Sequence, residues 1–282
     1  MDTDSNKSYK ETHILYLEKM KEYAEKMTKH LIDGVESGRI PQYLYRFRSA
    51  KDMKEIISTN SLYFTCPQDL NDPYDTRVFA KIGGTPEKIR AILKEFNYNN
   101  RPDSELDRDA EFIAANPEKA GKIISERVNQ DRSDSRICCF SKTVESMPMW
   151  AHYTENHKGF ALKYDLLIDP YFFVLPIVME YGETYPVLQF GEEPTSSYLN
   201  TKHKDWEYEK EVRVFKRFDF EEGQHHFKFD KNALVEIIFG YNSSDDFINS
   251  TMTLSKSNGY NAKFKKAQLK ENEYGLSLQD LM

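Results

Sequence analysis

Cysteine is scarce: there are three among 282 residues, Cys138 and Cys139 side by side in an apolar run and Cys66 alone. This excludes a spaced disulfide framework and a Cys-x-x-Cys metal knuckle, and fits small buried thiols in a reducing compartment. Long apolar runs are missing too. No stretch approaches the roughly 18 apolar residues of a membrane-spanning helix. The first twenty residues carry Asp2, Asp4, Glu11 and Glu18 where a secretory leader would have its apolar core. The expectation is a soluble, cytoplasmic chain with no membrane partner. Positive charge is in deficit, since 39 Lys and Arg against 46 Asp and Glu leave a net charge of −7. That argues against broad binding to a nucleic-acid phosphate backbone. There is no GxGxxG, Walker or GxSxG pattern, which removes ordinary dinucleotide dehydrogenases, P-loop nucleotide hydrolases and the common serine hydrolases.

Aromatic residues are plentiful, with 18 Phe, 18 Tyr and two Trp to fill a core. Between Tyr9 and Gly38, Ile14, Leu17, Met20, Ala24, Met27 and Leu31 recur every three or four positions, which predicts an amphipathic helix packed on the main domain. "YLYRFR" alternates, so Leu44, Arg46 and Arg48 share one side and Tyr45 and Phe47 the other. Ser49 is placed to cap a helix through Met53, Ile56 and Ile57, "SLYFT" is a second strand, and "NDPYD" is a turn. Residues 85–131 are helical and highly charged. Strand patterns then dominate, in "RICCFS", "GFALKYD", "FVLPIVMEY", "YEKEVRVFKRF", "HHFKFD" and "LVEIIFGYN", with short helices at "MPMWAHYTEN" and near 244–257. Helices first and strands later predict an α+β fold with a mixed or antiparallel β core flanked by helices. The expected organisation is an N-terminal helical arm (1–40) and one domain (41–282) with a helical insertion at about 85–131.

Four motifs in order, "LYRFRS", "SLYFTCPQDLNDPYD", "CFSKTVESMPMWAHYTENHKGFAL" and "WEYEKEVRVF", resemble the bacterial and phage domain-of-unknown-function family numbered 2971, over about residues 43–242. That family brings no activity with it. A second resemblance does. An arginine on an early strand, a serine ending a middle strand and a Glu-x-Glu pair entering a later one are the ordered parts of Arg-Ser-Glu type ADP-ribosyltransferases. The matching positions are Arg48 or Arg46, Ser141, and Glu209 with Glu211. The usual Ser-Thr-Ser is "SKT" here, and the helical region stretches the interval from arginine to serine.

This resemblance implies an NAD-consuming transferase or glycohydrolase, in the setting of a toxin or a phage-conflict protein. Cleaving the nicotinamide–ribose bond develops positive charge on the ribose, as in glycoside hydrolysis. Glu211 would stabilise that charge, and Glu209, two residues earlier on one strand face, would orient or deprotonate the acceptor. Arg48 would hold the pyrophosphate and Ser141 the ribose or the glutamate. Tyr153 is placed to stack on a ring of the cofactor or to serve as a buried tyrosine. Asn71 and Asp72 are turn residues carried as candidate binding positions. NAD is expected as co-substrate and no metal is expected; the acceptor is protein, nucleic acid, a small molecule or water. His152 and His157 are five apart and do not form a helical zinc pair. Two alternatives stay open: a metal-dependent nuclease using Asp72, Asp75, Glu209 and Glu211 around Mg²⁺, and a non-enzymatic module whose acidic face recognises a basic partner.

Overall fold

The structure, a computed structural model, describes residues 25–95, 100–131, 135–174, 176–190, 197–216, 221 and 223–281. The apolar positions Ile14, Leu17, Met20 and Ala24 lie outside the described residues. From residue 25 to 36 the chain is helical (α1). Its stripe continues inward: Leu31 is fully buried in the largest core cluster, with Val35 packed against it. No described helix is long and apolar enough to cross a membrane.

Where the sequence predicts one domain with an insertion, the chain forms two compact units. The first holds the described residues of Met1–Phe64, Ile137–Val178 and Tyr208–Met282; the second is Thr65–Arg136 with Met179–Glu207. The helical stretch expected at 85–131 falls in the second unit, together with Met179–Glu207.

In chain order the elements are β1 (Tyr43–Arg48), α2 (Met53–Thr59), β2 (Ser61–Tyr63), β3 (Phe79–Ile82), α3 (Pro86–Glu95), α4 (Asp103–Ala115), α5 (Pro117–Asp131), β4 (Arg136–Ser141), α6 (Met147–Tyr153) and β5 (Phe160–Asp165). They continue with β6 (Pro176–Val178), β7 (Glu180–Gly182), β8 (Val187–Phe190), α7 (Ser197–Asn200), β9 (Thr201–His203), β10 (Glu211–Lys216), β11 (His226–Lys228), β12 (Leu234–Phe239), α8 (Asp245–Ser257), β13 (Lys263–Leu269) and β14 (Leu276–Leu281).

The first unit is built on an eight-stranded sheet in the order β14-β13-β12-β5-β1-β4-β10-β6. The pairs β1–β4, β1–β5, β12–β5, β10–β6 and β13–β14 are antiparallel and β12–β13 is parallel. This is the mixed, mostly antiparallel α+β architecture that the order of elements predicts. One face of the central strands presents Leu44, Cys138, Phe140, Phe160, Leu162, Tyr164, Val212 and Val214 to the main core, which also takes Met53, Ile56 and Ile57 of α2. The other presents Phe47, Ala161 and Ile238 to Trp150 and Met149 of α6. Ser49 stands before a 3-10 turn (Ala50–Asp52) rather than capping α2 directly, and α2 ends on Asn60 in the left-handed region, a position asparagine tolerates better than most residues.

In the second unit, Ile82 of β3 and Ile89, Ala110 and Ala120 of the three helices share a small core. α5 approaches β3 so closely that a Cβ on Gly121 would lie 2.5 Å from the Ala80 carbonyl oxygen. Polar groups of the helix complete the strand edge: Ser125 Oγ accepts from Ala80 N–H at 2.8 Å, and Asn129 binds Val78 through both its N–H and its carbonyl, at 3.0 and 3.1 Å. β3 pairs in parallel with β8, and β7 with β9.

Candidate functional site

The carboxylate row is not a continuous strand. Lys204–Glu209 winds as a 3-10 helix, Lys210 takes a left-handed conformation (φ 44°), and β10 begins only at Glu211. Alternation predicts Glu207, Glu209 and Glu211 on one strand face, and here it fails. Pattern shows spacing, whereas the turn is set by a backbone bond from Lys142 N–H to Lys210 O at 2.9 Å. A lysine at positive φ costs roughly 1 kcal/mol and is held only where its surroundings over-determine it.

Beyond that turn the two glutamates still arrive on one side. Val212 and Val214 enter the main core, so alternation sends Glu211 and Arg213 to the opposite face. There Arg213 donates Nε–H to Glu211 Oε1 at 2.8 Å and Nη2–H to Oε2 at 3.1 Å, a two-pronged pair with Glu211 2% and Arg213 0% exposed. Burial of both partners makes the geometry binding in the strict sense: removing one strands the other's charge at a cost of about 3–5 kcal/mol. Arg213 stands in the motif but is given no role by the resemblance.

Glu209 is 4% exposed and accepts a hydrogen bond from the Tyr153 hydroxyl at 2.5 Å. Ser141 is fully buried. Its Oγ donates to the Glu209 carbonyl at 2.7 Å and accepts from Thr143 N–H at 3.3 Å, so it fixes the backbone of the glutamate turn. Ser146 Oγ repeats this one residue earlier, on the Tyr208 carbonyl at 2.8 Å. Cys139 lies against Glu211, and burial with that neighbouring carboxylate pushes its thiol well above the ordinary range. Cys138 is buried, but Cys139 and Cys66 are only half-buried, which corrects the expectation of three buried thiols. The structure therefore gathers Ser141, Tyr153, Glu209 and Glu211, with Cys139 and Arg213, at one place in the first unit.

Arg48 is not part of that gathering, and Arg46 meets it only from the other face of the sheet, through the Cys139 carbonyl and the Glu211 charge. Residues directly opposed in an antiparallel pair share a face. Tyr45 opposes Ser141, so Ser141 lies on the side of Tyr45 and Phe47, and both arginines project from the other. Arg46 donates to the Cys139 carbonyl, and Arg48 pairs with Asp52 at 3.0 Å. Burial, with the nearby Arg46 charge, pushes the Arg48 guanidinium below its ordinary range. The expectation of one cleft lined by Arg48, Ser141 and Glu211 is corrected by this register. Parity along one strand is legible in the sequence, but the register between strands far apart in the chain is not. Tyr45, which the motif "LYRFR" also contains, holds the position facing Ser141; burial, then Glu236 and Glu145, push its hydroxyl upward.

Asn71 and Asp72 belong to the second unit. Asp72 Oδ1 accepts from Tyr74 N–H at 2.9 Å, the turn role its composition predicts, and Asp72 also borders a cavity of that unit. Asp75 is paired with Lys202 at 3.7 Å. His152 tilts against Tyr208 and His157 stacks on Trp150. Among the described residues no three His, Cys, Asp or Glu side chains are grouped as a metal ion requires. Compared with family models, with curated proteins and with solved structures, the chain gives no match.

Proposed function

We propose that the first unit cleaves the N-glycosidic bond of NAD, as a glycohydrolase or an ADP-ribosyltransferase, with Glu209 and Glu211 as its carboxylates. The observation that carries this reading is the glutamate turn, in which Ser141, Tyr153 and Arg213 hold two buried carboxylates beside one left-handed lysine. A turn strained and pinned in this way is characteristic of sites where charge must be placed. Ser141 on β4 and Glu211 on β10, the serine and one glutamate of the Arg-Ser-Glu resemblance, stand on neighbouring strands. Arg48 drops out of the proposed machinery because it faces away.

In this reading the C1′–N bond breaks with its electron pair leaving on nicotinamide. Glu211, oriented by its two-pronged pair with Arg213, is the carboxylate that offsets the developing oxocarbenium. Glu209 accepts the proton of the incoming water or acceptor hydroxyl, and Tyr153 sets its orientation. The resemblance to family 2971 is compatible with this activity and names no acceptor. In the nuclease alternative Asp75 would have to give up its ion pair with Lys202 at 3.7 Å.

Glu209→Gln keeps an acceptor for Tyr153 and removes the base. It is expected to lower kcat for nicotinamide release by on the order of 10²-fold with folding preserved. Arg48→Ala is expected to leave KM for NAD within about twofold, since no uniform binding is lost. A wild-type protein that neither binds nor cleaves NAD, with water and candidate acceptors supplied, overturns the proposal.

A further inference from the structure

The second unit contains an open cavity of about 380 Å³, lined by its own residues. This lies in the range of small-molecule sites, roughly 300–1,000 Å³. Its walls are aromatic and held in place before any ligand arrives. Tyr185 packs edge-on against Tyr74 at 5.9 Å and against Phe79 at 5.1 Å. The Tyr185 hydroxyl donates to the Arg77 carbonyl at 2.5 Å, which fixes the ring. Trp206 is fixed from another direction: the Lys202 ammonium sits 4.8 Å from its ring centroid and is itself tied to the buried Asp75 carboxylate at 3.7 Å. Both members of that ion pair have almost no exposed side chain, 3% and 0%, so the pair acts as a buttress behind the rings.

The charge balance around the rings decides what they suit. The lining carries three carboxylates, Asp72, Asp75 and Glu183, against one lysine, Lys202. Lys202 is matched by Asp75, and Lys204 pairs with Glu183 at the cavity wall. Aromatic faces in an acidic surround attract cations through the ring quadrupole and repel anions.

We propose that this cavity binds a compact organic cation of the alkylammonium class, caged by Tyr74, Tyr185 and Trp206. The proposal stands whether or not the glutamate turn cleaves NAD. Choline, putrescine and the neutral choline isostere 3,3-dimethylbutan-1-ol are the probes, titrated into the full chain by calorimetry. Choline or putrescine is expected to bind at least tenfold more tightly than the neutral isostere. Glu183→Gln, a substitution at the wall, is expected to weaken cation binding about threefold or more, and Trp206→Leu at least tenfold. Equal binding of choline and its isostere overturns the proposal, as does no heat from either cation up to 10 mM. If Trp206→Leu does not fold, the wild-type comparison of charged and neutral probes alone decides.

Discussion

Lys216 shows how a single residue takes its chemistry from strand parity. It ends β10 in step with Val212 and Val214, so it points toward the aromatic core, 4.9 Å from the Phe172 ring. Its ammonium donates to the Phe172 carbonyl at 2.8 Å and to the Tyr171 carbonyl at 3.4 Å. Those carbonyls replace only part of the lost water. Desolvation dominates and lowers its pKa to about 8, with Asp169 offsetting a part. A lysine whose folded pKa lies below its unfolded value binds fewer protons folded than unfolded between the two. The cost of keeping it charged and buried is therefore fully felt below about pH 8 and is relieved as pH rises toward the unfolded value near 10.4. Urea unfolding of wild type and Lys216→Met from pH 7 to 10.5 is expected to show the difference moving in favour of wild type as pH rises. A pH-independent difference would show that Lys216 titrates normally. The alternation that places Lys216 is visible in "EVRVFK"; the carbonyls it meets come from residues 171 and 172 and are not.

At the scale of elements, the loop after α6 joins the two strands β5 and β12 to the helix that covers them. Glu155, Asn156 and His157 are successive left-handed residues, with φ of 52°, 57° and 66°, each costing roughly 1 kcal/mol or more. The turn is held by Asn242 N–H on the His157 carbonyl at 3.1 Å and by Gly240 N–H on the Gly159 carbonyl at 2.9 Å. A Cβ on Gly240 would lie 2.1 Å from the His157 carbonyl oxygen, so the crossing requires glycine. Gly240→Ala is expected to destabilise by about 1–3 kcal/mol or more in urea unfolding, and Gly83→Ala, with open space around it and no positive φ, by less. Equal effects would place the loop elsewhere. Elements with strong alternation, β1, β4, β5 and β12, were legible in the sequence because each buries both faces or one clean face. β14 was not: "LSLQDL" exposes four of its six residues and offers no apolar stripe. The glutamate turn misled for the converse reason, since "WEYEKEVR" alternates while its first half is helical.

For the molecule as a whole, the decisive property is how carboxylates are distributed. Glu211 of the turn is paired with Arg213, Glu209 accepts a hydrogen bond from Tyr153, and Asp75 is paired with Lys202. A metal-dependent hydrolase keeps its acidic ligands together so that a divalent cation offsets their repulsion. Cleavage of NAD leaves its electron pair on a nitrogen that was already positively charged, so the leaving group needs no Lewis acid. Nicotinamide release by the full chain is therefore expected to persist within about twofold in saturating EDTA, and to be unchanged by added Mg²⁺ or Mn²⁺. The same samples, incubated with mixed-sequence DNA and RNA at physiological salt, are expected to leave both intact, in line with a net charge of −7 that opposes phosphate-backbone binding. Activity abolished by chelation and restored by either metal would instead assign the carboxylates to metal binding, and nucleic-acid cleavage appearing with that metal would replace NAD cleavage by nuclease chemistry.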